Sequence, residues 1–223
     1  MRCTARWEKR AYRSGYRRIA GVDEAGRGSL FGPVVAAAVI LDPDRPIRGL
    51  NDSKQLDAGT RQELAGRIRA RAAAWAVAAV DAARIDLLNI YQASREAMRR
   101  AVLELRPEPD LLLVDALKLD LPVDQRAIIH GDALSVSIAA ASILAKVERD
   151  RLMEEWDHVF PEYGLGRNKG YTTPEHQASL ELHGISPLHR RSYAPVAAAS
   201  LFPTRAPAHQ DPDQYILPLF SGG

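Results

Sequence analysis

Cysteine is nearly absent from the chain, since Cys3 is the only one in 223 residues. One cysteine allows neither an intramolecular disulfide nor a thiolate metal cage, and the six histidines show no paired ligand spacing. These gaps count against a structural zinc site and favour a reducing compartment. The sequence also lacks an apolar stretch that could cross a bilayer and a charged-then-apolar signal peptide. We therefore expect a cytoplasmic protein that does not enter the membrane.

An excess of either charge is missing as well, because 30 Lys and Arg residues face 28 Asp and Glu residues. The formal net charge of +2 does not by itself indicate a nucleic-acid partner. The exception is the N-terminal segment 1–18, whose basic side chains face Glu8 alone: Arg2, Arg6, Lys9, Arg10, Arg13, Arg17 and Arg18. We interpret this segment as a solvated, frayed terminus; the alternative is a specific contact with phosphate.

Hydrophobic patterning predicts an α/β domain. Apolar runs predict strands at 18–23, 33–41, 75–80, 110–114 and 126–129, and helical spacing predicts helices at 58–72, 86–105, 135–156 and 174–183. Gly26, Gly28 and Gly32 connect the first two strands tightly, which favours a hairpin. Strands that first cluster and then alternate with helices are typical of a mixed sheet flanked by helices.

The length of the chain suits one main domain with a small appendage. We expect a basic leader at 1–17, a core at 18–160 and a small helical C-terminal part at 161–202. The composition shifts to Pro, Asp and Gln near the end, which predicts a flexible tail at 203–223.

Three of the predicted strands end in carboxylates: the first in Asp23 and Glu24, the fourth in Asp115 and the fifth in Asp132. Ligand sites in open α/β sheets gather at strand ends, where the loops diverge. Two adjacent acids at a buried strand end oppose each other's ionisation, so a cation should compensate them. An all-oxygen ligand set favours Mg²⁺ or Mn²⁺, and several carboxylates around two such ions match the two-metal arrangement for phosphodiester cleavage.

Each acid also has an ordinary structural explanation. Asp23 and Glu24 could form a capped turn, Asp115 could simply close its strand, and Asp132 could serve near the N-cap of the next helix. The loop Gly26-Arg27-Gly28 suits a phosphate or sugar backbone, because glycine lets the main chain approach closely and Arg27 adds a charged donor.

Taken together, these motifs resemble ribonuclease HII, the type 2 ribonuclease H family. The resemblance covers roughly residues 17–200, and seven motifs fall in family order: GVDEAGRG (21–28), FGPVVAAAVIL (31–41), NDSK (51–54), VDALK (114–118), GDALSVSIAAASILAKVERD (131–150), NKGYTTPEH (168–176) and HRRSY (189–193). Such ordered agreement is highly specific, whereas one motif would only be suggestive. It implies an RNase H-like fold with a small helical C-terminal part.

The resemblance implies an endonuclease that cleaves RNA paired with DNA and cuts 5′ of single ribonucleotides embedded in duplex DNA, in primer removal and ribonucleotide repair. Asp23, Glu24, Asp115 and Asp132 match the family's catalytic, metal-binding acids, with two Mn²⁺ or Mg²⁺ ions per site during catalysis. The loop Gly26-Arg27-Gly28 matches the element that reads the ribose 2′-hydroxyl, the group that separates RNA from DNA. The remaining substrate contacts that the resemblance implies are Ser53, Lys54, Lys169 and Tyr171, of which the tyrosine packs on the sugar at the RNA–DNA junction.

The chain departs from the family pattern at three positions. Leu134 stands where many relatives carry Lys or Arg, Asn168 where His is frequent, and Ser29 where Pro is frequent. None of the three is one of the four acids. Arg27 and the short leader favour ribonuclease HII over its sister family ribonuclease HIII, which shows a lysine version of the loop and an extra N-terminal domain.

The C-terminal residues resemble QxxLxLF, the peptide by which bacterial replication proteins bind the sliding clamp. Gln214, Leu217, Leu219 and Phe220 fall at its positions, and the Pro-rich segment before them supplies reach. The alternative is an apolar terminus that folds back on its own domain. We expect a monomer that binds RNA–DNA hybrids or duplex DNA containing ribonucleotides.

Two other functions stay open at this point. A catalytically silent binder of hybrids would keep the fold without cleavage, but the four intact acids count against it. A different nuclease on the same fold, such as a junction resolvase, would act on all-DNA junctions, but the Gly-Arg-Gly loop and Tyr171 count against that.

Overall fold

The computed structural model describes residues 3–200 and centres on a five-stranded sheet with the order β3-β2-β1-β4-β5. The strands are β1 Ile19–Ala25, β2 Val34–Ile40, β3 Ala74–Val80, β4 Leu111–Asp115 and β5 Asp124–Ile128. The pairs β1/β2 and β2/β3 are antiparallel, whereas β1/β4 and β4/β5 are parallel. The predicted mixed sheet is therefore confirmed, and β1 and β2 form the predicted hairpin.

Eight helices surround the sheet in the described part of the chain. They are α1 Arg6–Arg13, α2 Ala58–Arg71, α3 Ala82–Leu88, α4 Ile90–Glu104, α5 Val136–Val159, α6 Leu165–Asn168, α7 Pro174–His183 and α8 Ala194–Ser200. Helices α6 to α8 make up the small helical C-terminal part. Among residues 3–200, no helix is long and apolar enough to cross a membrane.

Strand β2 shows how helices cover both faces of the sheet. All of its residues are buried, and side chains on a strand point alternately to opposite faces. Val35, Ala37 and Val39 pack with α5 and α2, while Ala36 and Ala38 pack with α4. A strand buried on both faces needs a continuous apolar run, which is what the sequence provides.

Helix α5 packs directly on the backbone of β1 at Gly21. A Cβ at Gly21 would lie 2.0 Å from the carbonyl carbon of Ser137, so a larger residue cannot take this place. The Ala- and Ser-rich start of α5 provides the matching thin surface. From there α5 runs along β1, so that Ser142 reaches Asp23 and Arg149 reaches the loop after the strand.

The prediction of one helix over 86–105 was wrong, because two helices meet at Asn89. Its φ of 72° interrupts the helical backbone, and Asn adopts a positive φ more readily than most non-glycine residues. Oδ1 of Asn89 accepts a hydrogen bond from the N–H of Gln92 at 3.1 Å and caps α4. The helical spacing of apolar residues continues across this break, which hides it in the sequence.

The interpretation of the N-terminal segment as frayed was also wrong for its described residues. Arg6–Arg13 form α1, and Glu8 is only 5% exposed. Oε1 of Glu8 accepts hydrogen bonds from Oγ of Ser135 at 2.5 Å and from the N–H and Oγ of Ser137 at 3.0 and 2.6 Å. These bonds fix α1 to the N-terminus of α5, where free N–H groups favour a carboxylate. The proposed division at 17/18 and 160/161 stays a prediction, and the tail 203–223 lies outside the described residues.

Candidate active site

The four acids lie together at the carboxyl ends of the parallel strands. Asp23 and Asp115 follow Val22 and Val114, which are paired in register on β1 and β4. The two carboxylates therefore leave the same face of the sheet, the face covered by α5. Asp132 follows β5 in a 3₁₀ turn, Gly131–Ala133, and Glu24 is next to Asp23 on β1.

Burial and mutual repulsion dominate the electrostatics of these acids. Burial raises the pKa of Asp23 well above its usual value, and the charges of Glu24 and Asp115 raise it further. Burial also raises the pKa of Glu24 against the opposing effect of Arg27, and that of Asp115 against the N–H of Gly131. The site therefore disfavours the simultaneous ionisation of its carboxylates unless more positive charge is supplied.

Two basic side chains supply part of that charge. Nζ of Lys54 lies 3.5 Å from Oδ2 of Asp132, and Nη1 of Arg27 lies 3.3 Å from Oε1 of Glu24. Partial burial lowers the pKa of Lys54, but the carboxylates of Asp132, Asp52 and Asp23 outweigh it and raise this pKa. Because the Lys54 side chain is 80% exposed, its ammonium group is free to turn toward a ligand in solvent.

The carboxylate oxygens of the four acids suit a hard divalent cation, although several of them accept hydrogen bonds from backbone N–H groups in this structure. Among residues 3–200, no three His, Cys, Asp or Glu side chains are already arranged to hold a metal ion. Backbone N–H groups of Glu24, Gly131 and Ala133 instead bind the Oδ1 atoms of Asp23, Asp115 and Asp132. Oε2 of Glu24 is buried and has no hydrogen-bond partner in this part of the chain. An unpaired buried carboxylate oxygen is costly, and oxygen ligands are those that Mg²⁺ and Mn²⁺ prefer.

The loop after β1 rests on the buried guanidinium of Arg149. Gly26 has a φ of +94°, and a Cβ there would lie 2.0 Å from Nε of Arg149. Burial lowers the pKa of Arg149 to about 10. Its guanidinium donates to Oγ of Ser29 at 2.6 Å and to the carbonyls of Lys169, Phe31 and Pro33 at 2.8, 3.1 and 3.3 Å. Arg149 therefore holds the loop, β2 and the segment around Lys169 in one arrangement.

A second buried arginine holds the tip of the same loop. Nη1 of Arg190 and the hydroxyl of Tyr193 both donate to the carbonyl of Arg27, at 2.9 and 2.5 Å. Arg27 and Gly28 are exposed, and a Cβ at Gly28 would meet nothing within 4 Å. The loop thus presents a fixed backbone with open space in front of Gly28.

The other residues expected to contact substrate have different positions. Tyr171 pairs with Ser29 in an isolated β-bridge, beside the loop. The ring of Tyr171 lies 5.5 Å from Nζ of Lys146 and 5.4 Å from Cζ of Arg149, measured to its centroid. The amine of Lys169 pairs with Glu154 at 2.6 Å. The hydroxyl of Ser53 is buried, 2.8 Å from that of Ser142, so it anchors the loop between β2 and α2 to α5.

A histidine pair behind Tyr171 was not expected from the sequence. Nδ1 of His176 lies 3.0 Å from the carbonyl oxygen of Tyr171, which can only accept, so Nδ1 carries the proton. Nδ1 of His189 accepts from the N–H of Ser186 at 2.9 Å. Nε2 of His189 must therefore donate to Nε2 of His176, 3.1 Å away. Burial lowers the pKa of both histidines, that of His189 strongly, so this chain of hydrogen bonds is formed by neutral rings.

The three departures from the family pattern all have a place in the fold. Oγ of Ser29 accepts a hydrogen bond from Arg149. Asn168 donates to the carbonyl of Tyr163 at 2.6 Å and accepts from the N–H of Gly170 at 2.7 Å. Leu134 packs in the apolar cluster that α1 forms with β1 and β4. Two of these side chains thus support the loops around Tyr171, and the third supports the N-terminal helix.

Comparison with known proteins identifies the family. A model described as Ribonuclease HII matches residues 20–196. The chain belongs to the ribonuclease HII family. It is 62% identical over 203 residues to the ribonuclease HII of Solibacter usitatus, covering 91% of this chain and 89% of that protein. Ribonucleases HII are hydrolytic ribonucleases, and the resemblance expected from the seven motifs is confirmed.

Solved structures of ribonucleases HII and H2 share the fold. The ribonuclease H2 of Pyrococcus horikoshii superposes with a TM-score of 0.73 at 28% identity, covering 83% of this chain and 98% of that one. The RNase HII in a PCNA:RNase HII complex from Archaeoglobus fulgidus gives a TM-score of 0.68 at 28% identity, covering 88% of this chain and 100% of that one. The expected RNase H-like architecture with its C-terminal helices is therefore confirmed.

Proposed function

We propose that this protein hydrolyses the RNA strand of RNA–DNA hybrids and cuts 5′ of single ribonucleotides embedded in duplex DNA. The observation that carries the proposal is that the four acids and the loop Gly26-Arg27-Gly28 lie side by side at one edge of the sheet. Buried carboxylates lie there beside an exposed loop with a fixed backbone, and Arg27 of that loop pairs with Glu24 at 3.3 Å. In a ribonucleotide, the phosphodiester and the 2′-hydroxyl also lie side by side. The carboxylates could therefore act on the phosphodiester while the loop binds the 2′-hydroxyl.

Asp23, Glu24, Asp115 and Asp132 would hold two divalent cations, Mg²⁺ or Mn²⁺. When bound, such ions activate a water nucleophile and stabilise the leaving oxygen of an in-line displacement. Their charge would relieve the repulsion that raises the pKa of Asp23. Lys54 and Arg27 now pair with two of the acids, and both are exposed enough to turn to phosphate oxygens instead.

Selection of ribose falls to the loop Gly26-Arg27-Gly28 and to Tyr171. The open space in front of Gly28 lets a sugar approach the main chain, whose N–H and C=O groups can bind the 2′-hydroxyl. Arg149 and Arg190 hold this backbone in place before the substrate arrives, which lowers the entropy lost on binding. Tyr171, next to Ser29, would pack on the sugar at the RNA–DNA junction.

A cleavage assay on matched duplexes tests the proposal. The substrates are one duplex with a single ribonucleotide, an all-DNA duplex of the same sequence, an RNA–DNA hybrid and an all-DNA four-way junction, each with Mg²⁺, Mn²⁺ or EDTA. We expect cutting 5′ of the ribonucleotide and in the hybrid only with metal, leaving 3′-hydroxyl and 5′-phosphate ends. Binding without cleavage under every condition would indicate the silent binder. Cleavage of the junction alone would indicate a resolvase.

We further propose that the peptide 214–220, which lies outside the described residues, binds the bacterial sliding clamp. The support is the QxxLxLF pattern at Gln214, Leu217, Leu219 and Phe220, together with a relative from Archaeoglobus fulgidus that was solved as a complex with PCNA. Clamp binding would bring a cytoplasmic, monomeric enzyme to newly replicated DNA, where primers and misincorporated ribonucleotides occur.

A further inference from the structure

Helix α1 carries a stripe of cations on the face it turns to solvent. Arg6, Lys9, Arg10 and Arg13 have the spacing i, i+3, i+4 and i+7, which places them on one side of a helix. All four are exposed, whereas Glu8 and Ala11 on the other side are buried. We name these four residues the α1 basic stripe.

Among the described residues, 3–200, the stripe has no electrostatic partner. Within residues 3–200, none of its four side chains forms an ion pair or a side-chain hydrogen bond. The basic residues that follow behave differently, because Arg17 donates to the carbonyls of Tyr12 and Tyr16 and Arg18 to that of Glu108. Neighbouring like charges repel each other, so the stripe lowers the stability of α1 unless an anionic ligand neutralises it.

The position of α1 relative to the four acids is fixed by contacts at both of its ends. At the start, Thr4 forms a β-bridge with Ser135, three residues after Asp132, and Glu8 binds the first turn of α5. At the far end, the hydroxyl of Tyr16 donates to Asp124, the first residue of β5, at 2.6 Å. Helix α1 therefore begins beside the carboxyl edge that holds the acids and runs toward the opposite edge of the sheet.

We propose that the α1 basic stripe binds the phosphate backbone of the substrate duplex on one side of the cleavage site. The stripe spans about 10 Å at 1.5 Å per residue, and duplex DNA carries one negative charge per about 1.7 Å of its axis. Arg6 lies nearest to the acids and Arg13 farthest from them. The stripe thus meets successive phosphates of a duplex that extends away from the scissile linkage.

This inference rests on the proposed function, in which the substrate is a duplex, and adds a backbone contact to it. The test variant carries Arg6→Gln, Lys9→Gln, Arg10→Gln and Arg13→Gln. A matched control loses the same charge at Arg45→Gln, Arg48→Gln, Arg71→Gln and Arg99→Gln. All four positions are exposed, and Arg71 and Arg45 lie three residues before Ala74 and five after Ile40, which pair at the edge of the sheet opposite the acids. A third variant replaces the three arginines of the stripe by lysine and so keeps the charge.

Steady-state cleavage of a duplex with one ribonucleotide is measured across a salt series. Each lost phosphate contact reduces the slope of log affinity against log salt by about 0.9. Loss of two to four contacts should therefore reduce the slope of the test variant by about 1.8 to 3.6. Its KM should rise at least about tenfold at low salt, while kcat stays within twofold. The lysine variant should retain the wild-type slope. Shortening the duplex on one side of the ribonucleotide should remove the difference between wild type and test variant.

The outcomes separate this inference from the proposed function. A wild-type protein that fails to cleave the duplex with either metal would contradict the proposed function. If the wild type cleaves, but the test variant has the same salt slope as the wild type or as the control, only the role of the stripe is overturned. Thermal unfolding checks that each variant folds. If the quadruple variant does not fold, the pair Arg6→Gln and Arg10→Gln is measured, and an unchanged slope in that pair overturns the inference equally.

Discussion

The backbone N–H of Gly131 donates a 2.8 Å hydrogen bond to Oδ1 of Asp115. This bond joins the end of β4 to the turn after β5, and it places Asp115 and Asp132 at one edge of the sheet. The charge of Asp132 contributes to the raised pKa of Asp115, after the larger effect of burial. Two acids from separate segments are therefore held together by a backbone hydrogen bond of the protein itself.

Replacing Asp115 by Asn should abolish cleavage without abolishing binding. Asn keeps an oxygen for the N–H of Gly131, but it removes the negative charge and replaces the other carboxylate oxygen by an NH₂ group. We expect kcat to fall at least about 100-fold, the size of loss that follows removal of one transition-state stabiliser. Duplex affinity, measured by gel shift in EDTA, should change less than threefold. Asp44→Asn, an exposed acid in the loop after β2, is the matched control and should cleave normally. Cleavage by Asp115→Asn at the wild-type rate would contradict its assignment.

Replacing Asp23 by Asn should make the metal-free protein more stable. Burial and the charges of Glu24 and Asp115 disfavour the ionised form of Asp23, so removing that charge relieves repulsion in the folded state. A gain of about 1 kcal/mol corresponds to a rise in Tm of roughly 2–4 °C for a domain of this size. Scanning calorimetry in EDTA measures it. Added Mn²⁺ should raise the Tm of the wild type more than that of the variant. A lower Tm for the variant in EDTA would show that the Asp23 charge is stabilising.

Removing the guanidinium of Arg149 should loosen the loop Gly26-Arg27-Gly28. Arg149→Met removes the guanidinium donor from Oγ of Ser29 and from the carbonyls of Phe31 and Lys169. We expect a loss of about 3 kcal/mol in the free energy of unfolding in urea, and a reduced preference for ribonucleotide over all-DNA duplex. The control is Arg151→Met, two residues later on α5, where the side chain is 43% exposed and forms ion pairs with Glu148 and Glu155. That change should cost about 0–1 kcal/mol. Equal losses in both variants would count against the role of Arg149.

The His176–His189 pair should make the fold less stable in mild acid. Both histidines have a lowered pKa in the folded state, so the unfolded chain binds more protons as the pH falls. The contribution of the pair is complete above the unfolded pKa of about 6.5 and is lost as the pH falls from there through the folded pKa values. Urea unfolding of the wild type and of His189→Gln at pH 7.5, 6 and 5 checks this. The difference in stability between the two proteins should shrink toward pH 5. A constant difference would contradict the hydrogen bonds that we assign to neutral His176 and His189.

Deleting residues 212–223 should separate partner binding from catalysis. The deletion removes Gln214, Leu217, Leu219 and Phe220 but none of the four acids of the candidate active site. We expect clamp binding, measured by surface plasmon resonance, to be lost and cleavage of a short duplex to stay within twofold of the full chain. Leu219→Ala with Phe220→Ala should reproduce the loss of binding. Unchanged clamp affinity in the deletion would refute the assignment of the tail.

Much of the architecture could be predicted because the sequence carries its signals locally. The apolar run of β2 and the glycines after β1 predict a buried strand and a hairpin, and both are found. Acids at strand ends predict a common edge, since parallel neighbours such as β1 and β4 must end there together. The assignment of roles to those acids and to the loop came from the ordered family motifs rather than from spacing.

The features that were missed depend on contacts between distant segments. The frayed leader and the single helix over 86–105 were wrong because the anchor of Glu8 at Ser135 and the positive φ of Asn89 have no local signal. Nothing local indicates that His176 and His189 meet through their Nε2 atoms. Arg149 did have a signal, because it is a charge on the buried stripe of α5 between Ala145 and Leu152.

Anomalous diffraction from Mn²⁺ tests the central claim most directly. Crystals of the wild-type protein with a duplex carrying one uncleavable ribonucleotide analogue would be soaked in Mn²⁺. We predict two anomalous peaks about 3.5–4 Å apart, ligated by Asp23, Glu24, Asp115 and Asp132 and by the phosphate 5′ of the ribonucleotide. Peaks bound elsewhere, or a scissile phosphate held away from these four carboxylates, would contradict the account.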